Sequence, residues 1–227
     1  MKFALGILLV AALFACENKQ KVRALPIYGN YDVITSETNG VQTNDTVYPT
    51  IPHFSYINQD SIRIDSKQLK GKVWIANFFF TSCPSICPPM MAQMKRLNIL
   101  TKDIADEVQF LSFSIDPTTD QPSVLRNYIK NNGLSTKNWH FFTGNEAQTH
   151  SLGVNHFMVH AKKDPMAAGG FAHSDGMVLV DKSGYVRGIY LGTQTKEVDK
   201  LNNDLRKLLT RCVTDPSYYN ETTSKSK

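Results

Sequence analysis

Cys83 and Cys87, separated by Pro84-Ser85-Ile86, follow directly on the apolar run at 73–80 and directly precede Pro88-Pro89. Two thiols delivered by a strand to the start of a helix suit one of two chemistries, disulfide exchange or soft-metal binding. Proline has no backbone N–H and fits only the first turn of a helix, so Pro88 and Pro89 put Cys87 close to the helix N-cap. The free N–H groups and dipole at that end favour thiolate over thiol, and both chemistries use the thiolate. The motif has three intervening residues, one more than the usual dithiol redox motif. A bent turn of that length brings the sulfurs together without a tight covalent ring.

Exchange needs only the pair, whereas a metal needs a further ligand. The chain offers His53, His140, His150, His156, His160 and His173. His173 is the best placed, in Gly169-Gly170-Phe171-Ala172-His173-Ser174-Asp175-Gly176, just before the apolar run at 177–180. The plain alternative is a satisfied loop histidine. Two thiolates and an imidazole make a soft, three-coordinate set that suits Cu(I) and can hold Cu(II). Zinc would normally take a fourth ligand. His156, Met158 and His160 alternate in His156-Phe157-Met158-Val159-His160. On a strand they would share one face and, with Met166, resemble a secondary copper-handling patch. The stronger reading is an ordinary, partly exposed strand.

These residues need elements to position them. The run at 73–80 is continuous and of strand length, which predicts burial on both faces. The spacing predicts a helix over 88–104 with Met91, Met94, Leu97 and Leu100 roughly on one face. A second buried strand follows at 108–115, ended by Asp116-Pro117-Thr118-Thr119, and a helix over 123–130 continues from Pro122. A short strand at 139–143 and a helix near 145–151 come next. The runs at 177–180 and 186–191 form a hairpin across Asp181-Lys182-Ser183-Gly184. An amphipathic helix over 195–211 turns Val198, Leu201, Leu205, Leu208 and Leu209 inward. Upstream, 54–57 and 62–64 flank Asn58-Gln59-Asp60 as a hairpin, and a helical turn at 66–69 precedes Lys70-Gly71-Lys72.

This order predicts an α/β fold, a mixed central sheet with helices on both faces and an N-terminal β-hairpin extension. With a dithiol at the start of the first crossover helix, it is the thioredoxin-like arrangement. In that arrangement the loop entering the strand at 177–180 faces the dithiol and usually carries a cis-proline. No proline lies between Met166 and Val180, and His173 offers an imidazole there instead. That shifts the balance from exchange toward metal.

Lys2, the apolar stretch at 3–14 and Leu13-Phe14-Ala15-Cys16 read as an export signal. A small residue followed by Cys resembles a bacterial lipobox, in which Cys16 is lipidated and becomes the first mature residue. The alternative is a plain signal peptide or a short anchor helix. The stretch is short for a transmembrane span, and no other segment reaches spanning length. The layout expected is a signal peptide at 1–15, a polar tether at 16–50 with a short strand at 31–35, a folded domain at 51–212 and a polar tail at 213–227. An exported chain meets an oxidising compartment, where Cys83 and Cys87 can close as a disulfide; metal loading then requires a thiol reductant. Cys212, past the last helix, is read as a bystander. The 25 basic and 20 acidic side chains give a formal charge of +5. The basic residues are scattered, without the run that nucleic acid would call for.

Four blocks carry a family resemblance. Phe79-Phe80-Thr81-Ser82-Cys83-Pro84-Ser85-Ile86-Cys87-Pro88 resembles the signature of the Sco (SenC/PrrC) family. Ser114-Ile115-Asp116-Pro117-Thr118-Thr119-Asp120-Gln121-Pro122 resembles its second block, and Trp139-His140-Phe141-Phe142-Thr143-Gly144 its third. His173-Ser174, followed by Val178-Leu179-Val180-Asp181 and Gly184, resembles the fourth. The blocks come in family order between about 51 and 210. The resemblance implies a membrane-tethered, thioredoxin-like copper protein that helps build the CuA centre of cytochrome c oxidase. It implies Cys83, Cys87 and His173 as copper ligands, and Asp116 as an acidic residue near the site that tunes or orients it. The implied partners are the oxidase subunit carrying CuA, or another cuproprotein, as acceptor, and a bacterial membrane through the N-terminal lipid. A second function stays open: a thiol–disulfide oxidoreductase that uses Cys83 and Cys87 to reduce the cysteines of an oxidase subunit or another exported partner. A peroxidase on the same fold would rely on an Arg beside the active thiol, and none lies near Cys83 in sequence. The segment at 161–171 leaves the conformation of the His173 loop open. A mobile loop would bring His173 to the thiolates only on metal arrival.

Overall fold

The computed structural model describes residues 24–38 and 41–210. The run at 73–80 forms the central strand. Its seven strand residues are all buried, so it carries Val, Trp, Ile and Phe without polar alternation. In chain order the strands are β1 (Asp32–Thr38), β2 (Val41–Val47), β3 (Ser55–Asn58), β4 (Arg63–Asp65), β5 (Val73–Phe79), β6 (Val108–Ser114), β7 (Trp139–Thr143), β8 (Ala161–Lys163), β9 (Phe171–His173), β10 (Gly176–Val180) and β11 (Val186–Leu191). The helices are α1 (Cys87–Leu100), α2 (Pro122–Asn132), α3 (Glu146–Asn155) and α4 (Thr195–Thr210). A seven-stranded sheet runs in the order β11-β10-β5-β6-β7-β3-β4. Strands β5, β6 and β7 are parallel, joined by α1 and α2; β10 and β3 pair antiparallel to β5 and β7. This is the expected mixed α/β, thioredoxin-like arrangement.

Side-chain alternation along β5 sorts the two layers. Asn77 and Phe79 point to the layer of α1 and α2: the Asn77 amide approaches Met91 Sδ at 3.5 Å, and Phe79 packs on Tyr128 and Phe141. Asn77 is fully buried, and Ser112 Oγ donates to its oxygen at 2.6 Å while accepting from Trp139 Nε1 at 2.9 Å. Each polar atom in that relay finds a partner, as burial demands. Phe78 points to the opposite layer, into a cluster with Phe113 and Phe157 that Phe54, Tyr56 and Phe142 extend. Helix α3 closes that side, with Thr149 Oγ1 donating to the Tyr56 hydroxyl at 3.1 Å.

Most elements lie where periodicity places them, and three differences bear on the fold. Helix α1 ends at Leu100, short of 104, where the Thr101 hydroxyl bonds back to the Leu97 carbonyl and a separate turn at Lys102–Ile104 follows. Leu100 is exposed, and Met90 joins Met91, Met94 and Leu97 on the buried face. Residues 156–160 are not a strand. Phe157 and Val159 are buried as alternation requires, but their N–H groups bond to Leu152 and Gly153 at the end of α3, and Met158 adopts φ 55°. The backbone folds back on its own helix, so His156, Met158 and His160 do not share a strand face.

The third difference is upstream. The stretch read as a tether holds a full hairpin, β1 on β2, in register from Asp32 opposite Val47 to Thr38 opposite Val41. Ahead of it, residues 25–28 are strapped to the sheet. Buried Arg187 donates to the carbonyls of Leu25 and Pro26 and to Asp181 Oδ2, the last at 2.8 Å. Tyr28 adds a backbone bridge to Val186 on the outer edge of β11. Cys16 and Cys212 lie outside the described residues.

Candidate metal site

The chain leaves β5 through Phe80, whose carbonyl accepts from the Cys83 N–H at 3.2 Å. This turn delivers Cys83 beneath the start of α1, and Cys87 is the first residue of that helix. Pro88 and Pro89 contribute no N–H there, and the N–H groups of Ser85 and Cys87 serve the Cys83 sulfur. Both cysteines are buried and carry free thiols.

The turn is braced from the parallel strand. Asp120 is fully buried in the loop after β6 and accepts from the Thr81 N–H at 3.1 Å, from the Thr81 hydroxyl, and from Ser114 Oγ at 2.6 Å. Burial holds its carboxyl above the usual range, against the pull of those hydrogen bonds. Asp116, the acidic residue singled out by resemblance, has its hydrogen bonds inside its own turn, from its N–H to Ser114 Oγ and from the Thr119 N–H to its carboxylate. Asp120 therefore does the bracing at the thiol turn. Its signal in the sequence is slight: an acidic residue two positions before the proline that opens α2. Asp120→Ala should strip an amide and two hydroxyls of their partner, costing ~1–3 kcal/mol for each group left unsatisfied. Urea unfolding of the metal-free protein would read this, and an unchanged midpoint would refute the bracing role.

His173 arrives from the far side on β9. That strand pairs with β8, placing Ala161 opposite His173, and the connection between them closes on itself through Asp164 to Gly170, Ala167 to Asp164 and Gly170 to Ala167 backbone bonds. The segment at 161–171 is thus a small hairpin, which sequence periodicity did not disclose. Gly169 sits at φ 79°, and a Cβ there would meet the Phe80 ring at 2.8 Å and Pro84 at 3.3 Å. The hairpin can lie against the thiol turn because this position has no side chain. Phe80 in turn meets Phe171 and the edge of His173.

His173 Nε2 lies 3.3 Å from Cys87 Sγ and 3.5 Å from Cys83 Sγ. Its Nδ1 is 3.1 Å from the Ser174 carbonyl, an acceptor only, so Nδ1 carries the proton and the Nε2 lone pair faces the sulfurs. The three ligating atoms lie within 4.8 Å of one another, the one such His/Cys/Asp/Glu cluster among the described residues. The other histidines are placed elsewhere. His53 pairs with Asp65, His150 bonds the Ile115 carbonyl, and His140 stacks on Phe142.

The electrostatics divide the thiols. Burial pushes the Cys83 thiol up, but the N–H groups of Ser85 and Cys87 more than offset it, leaving Cys83 more acidic than usual. Burial, reinforced by negative charge at Cys83 and Asp120, drives Cys87 far above the ordinary thiol range. Burial also lowers His173, outweighing the opposite pull of Ser174 and Asp175, which favours the neutral, ligand-ready imidazole. A groove of about 220 Å³ lined by Ser85, Ile86, Ala167, Phe171, Ala172 and His173 opens beside the cluster.

With this geometry in place, the comparisons with known proteins agree on one group. The family model described as SCO1/SenC matches residues 42–210. The SCO1 protein homolog of Bacillus subtilis is 33% identical over 168 residues, spanning 74% of this chain and 86% of its own. The crystal structure of a SCO1/SenC family lipoprotein from Bacillus anthracis superposes with a TM-score of 0.65 at 33% identity, covering 70% of this chain and 95% of that one. BsSco, described as a member of the Sco family of cytochrome c oxidase assembly proteins with a disulfide switch, gives 0.64 at 33% identity, covering 72% and 95%.

Proposed function

The chain belongs to the SCO1/SenC family, and from that premise we propose that it is a copper-binding metallochaperone, tethered to a bacterial membrane, that assists assembly of the CuA centre of cytochrome c oxidase. Copper is its cargo, held by Cys83, Cys87 and His173. The observation that carries this reading is the lone pair of His173 Nε2, fixed by the Ser174 carbonyl and aimed between two sulfurs at 3.3 and 3.5 Å. Two soft thiolates and a neutral imidazole suit Cu(I) better than a hard cation. The tether is a lipid on Cys16, and the acceptor is the CuA-bearing oxidase subunit or another cuproprotein. Acceptance of copper requires the reduced dithiol, supplied by an exported thiol reductant.

Anaerobic Cu(I) titration of the reduced full-length protein tests this directly. The expected result is one copper per chain. His173→Ala should lower copper affinity by at least the ~10–100-fold that loss of a ligand's supporting group causes, and weaken the absorption of the Cu(II)–thiolate adduct, while leaving both thiols able to cycle. Unchanged affinity and spectrum would remove His173 from the ligand set.

The asymmetric thiols favour a second reading, reduction of a partner disulfide. Cys83 as thiolate attacks one partner sulfur and expels the other as thiolate. Cys87, once deprotonated, then breaks the mixed disulfide, leaving Cys83–Cys87 oxidised and the partner fully reduced. Failure of the metal-free dithiol to reduce an oxidised partner peptide would leave delivery as the better account.

A further inference from the structure

His173 is fixed by the Ser174 carbonyl, and the backbone that carries that carbonyl is itself held on both sides. The Ser174 N–H donates to the His160 carbonyl at 3.1 Å. Immediately after it, Asp175 Oδ2 accepts from both the N–H and the hydroxyl of Thr193, and the Asp175 carbonyl accepts from the Gly192 N–H at 2.8 Å. Gly192 and Thr193 form the loop between β11 and α4. The helix that the loop leads into, α4, is joined to the helix bearing Cys87: Gln93 Nε2 donates to Thr195 Oγ1 at 3.0 Å, and Arg96 bonds Asp199 at 2.7 Å. A Cβ at Gly192 would lie 2.7 Å from the Asp175 carbonyl oxygen and 2.9 Å from Met90 Cγ, one turn along α1 from Cys87. The loop at 192–194 is thus wedged between the histidine segment and the cysteine helix, within contact of both.

We propose that the Asp175–Thr193 clasp is the positioning device of the site, setting where His173 Nε2 stands relative to the two sulfurs. The inference rests on the copper reading above and deepens it. Asp175 and Thr193 touch no sulfur; they act through the Ser174 carbonyl, whose position decides the orientation of the imidazole and which of its nitrogens is free. Groups that orient a ligating histidine typically affect metal affinity by ~10–100-fold. The chemistry asked of Asp175 is an acceptor oxygen in a fixed place, and its charge is secondary. Asparagine at that position retains such an oxygen; alanine does not.

The test compares Asp175→Ala, Asp175→Asn, Thr193→Val and His173→Ala in the full-length protein. Competition titration with Cu(I) gives affinity, the Cu(II)–thiolate absorption gives the ligand set, and thermal unfolding of the metal-free forms gives stability. Expected are a fall of ~10–100-fold in affinity and an altered absorption band for Asp175→Ala, a smaller shift the same way for Thr193→Val, and near-parent behaviour for Asp175→Asn. Thr193→Val preserves side-chain volume and carries the test if Asp175→Ala does not fold. Parent-like copper binding in Asp175→Ala, or in Thr193→Val when it alone can be measured, with a clear loss in His173→Ala, would overturn the clasp and leave the copper reading standing. Equal losses in Asp175→Asn and Asp175→Ala would overturn positioning in favour of charge. Parent-like behaviour of His173→Ala would overturn the ligand assignment itself, and the clasp with it.

Discussion

Cys83→Ser and Cys87→Ser are each expected to lose copper binding by far more than the ~10–100-fold that removal of a supporting group causes, because each deletes one of two soft donors from a three-donor set. The two variants should differ in their residual chemistry. Cys87→Ser keeps the acidic Cys83, which should be alkylated readily; Cys83→Ser keeps the buried, high-pKa Cys87, which should react slowly at neutral pH. The same asymmetry sets the pH dependence in the parent. Copper takes both sulfurs as thiolates, and Cys87 holds its proton through the neutral range, so loading must expel that proton. Apparent affinity should therefore rise with pH, about tenfold per unit for each proton released, with no flattening until well above neutrality. Cys83, the more acidic thiol, gives up its proton at lower pH than Cys87. Copper competition titrations between mildly acidic and mildly basic pH would measure the slope. A flat profile would mean that Cys87 is already ionised, or is not a ligand.

The second large effect concerns stability. Arg187 and Asp181 are both almost wholly buried and 2.8 Å apart, and Arg187 also serves the Leu25 and Pro26 carbonyls. Arg187→Met leaves a buried carboxylate and two carbonyls without that donor, and should cost ~3–5 kcal/mol in urea unfolding of the metal-free protein. Arg187→Lys should recover little, because one ammonium cannot reproduce a planar fork serving three acceptors. The substitution should also free residues 25–28, so that limited proteolysis cuts there sooner. A parent-like unfolding curve would show that the pair contributes only packing. Asp181 keeps bonds from the Ser183 and Tyr185 N–H groups, which limits the loss to the lower part of the range if those turns hold.

Sequence reading reached what burial patterns and residue chemistry encode. Strand β5 is legible because every residue is buried and all but Asn77 are apolar, and β6 because Val108, Phe110, Leu111 and Phe113 dominate a run of strand length; α4 is legible because Val198, Leu201, Leu205 and Leu208 recur at helical spacing and are buried. The cysteines and His173 stand out by type, and by their position beside a strand end. What stayed hidden depends on contacts between distant segments. The hairpin of β8 and β9 has three-residue strands, too short for alternation to register. The hairpin of β1 and β2 is polar, so no burial signal marks it. Asp116 and Asp120 both sit in one acidic loop, and only the packing of β5 beside β6 decides which reaches Thr81. The carbonyl of Ser174 selects the free nitrogen of His173, and a backbone atom leaves no residue-type signature. Arg187 on an outer strand would read as a solvent-facing charge, yet it is buried by a strap that comes from more than a hundred residues away.

That strap also fixes a direction. Strand β10 runs against β5, with Val180 opposite Trp74 near the beginning of β5 and Gly176 toward the end from which Cys83 emerges. Asp181, Arg187 and residues 25–28 therefore gather at one pole of the sheet, and Cys83, Cys87 and His173 at the other. The five residues of β10 separate them by roughly 16 Å, at about 3.3 Å per residue. The N-terminal strap is held by the Arg187 guanidinium and the Tyr28–Val186 bridge, at the pole away from the ligand loops. A lipid on Cys16, as proposed above, would therefore hold the domain by the pole opposite the metal site, and the depth of the sheet would add to the distance between anchor and sulfurs.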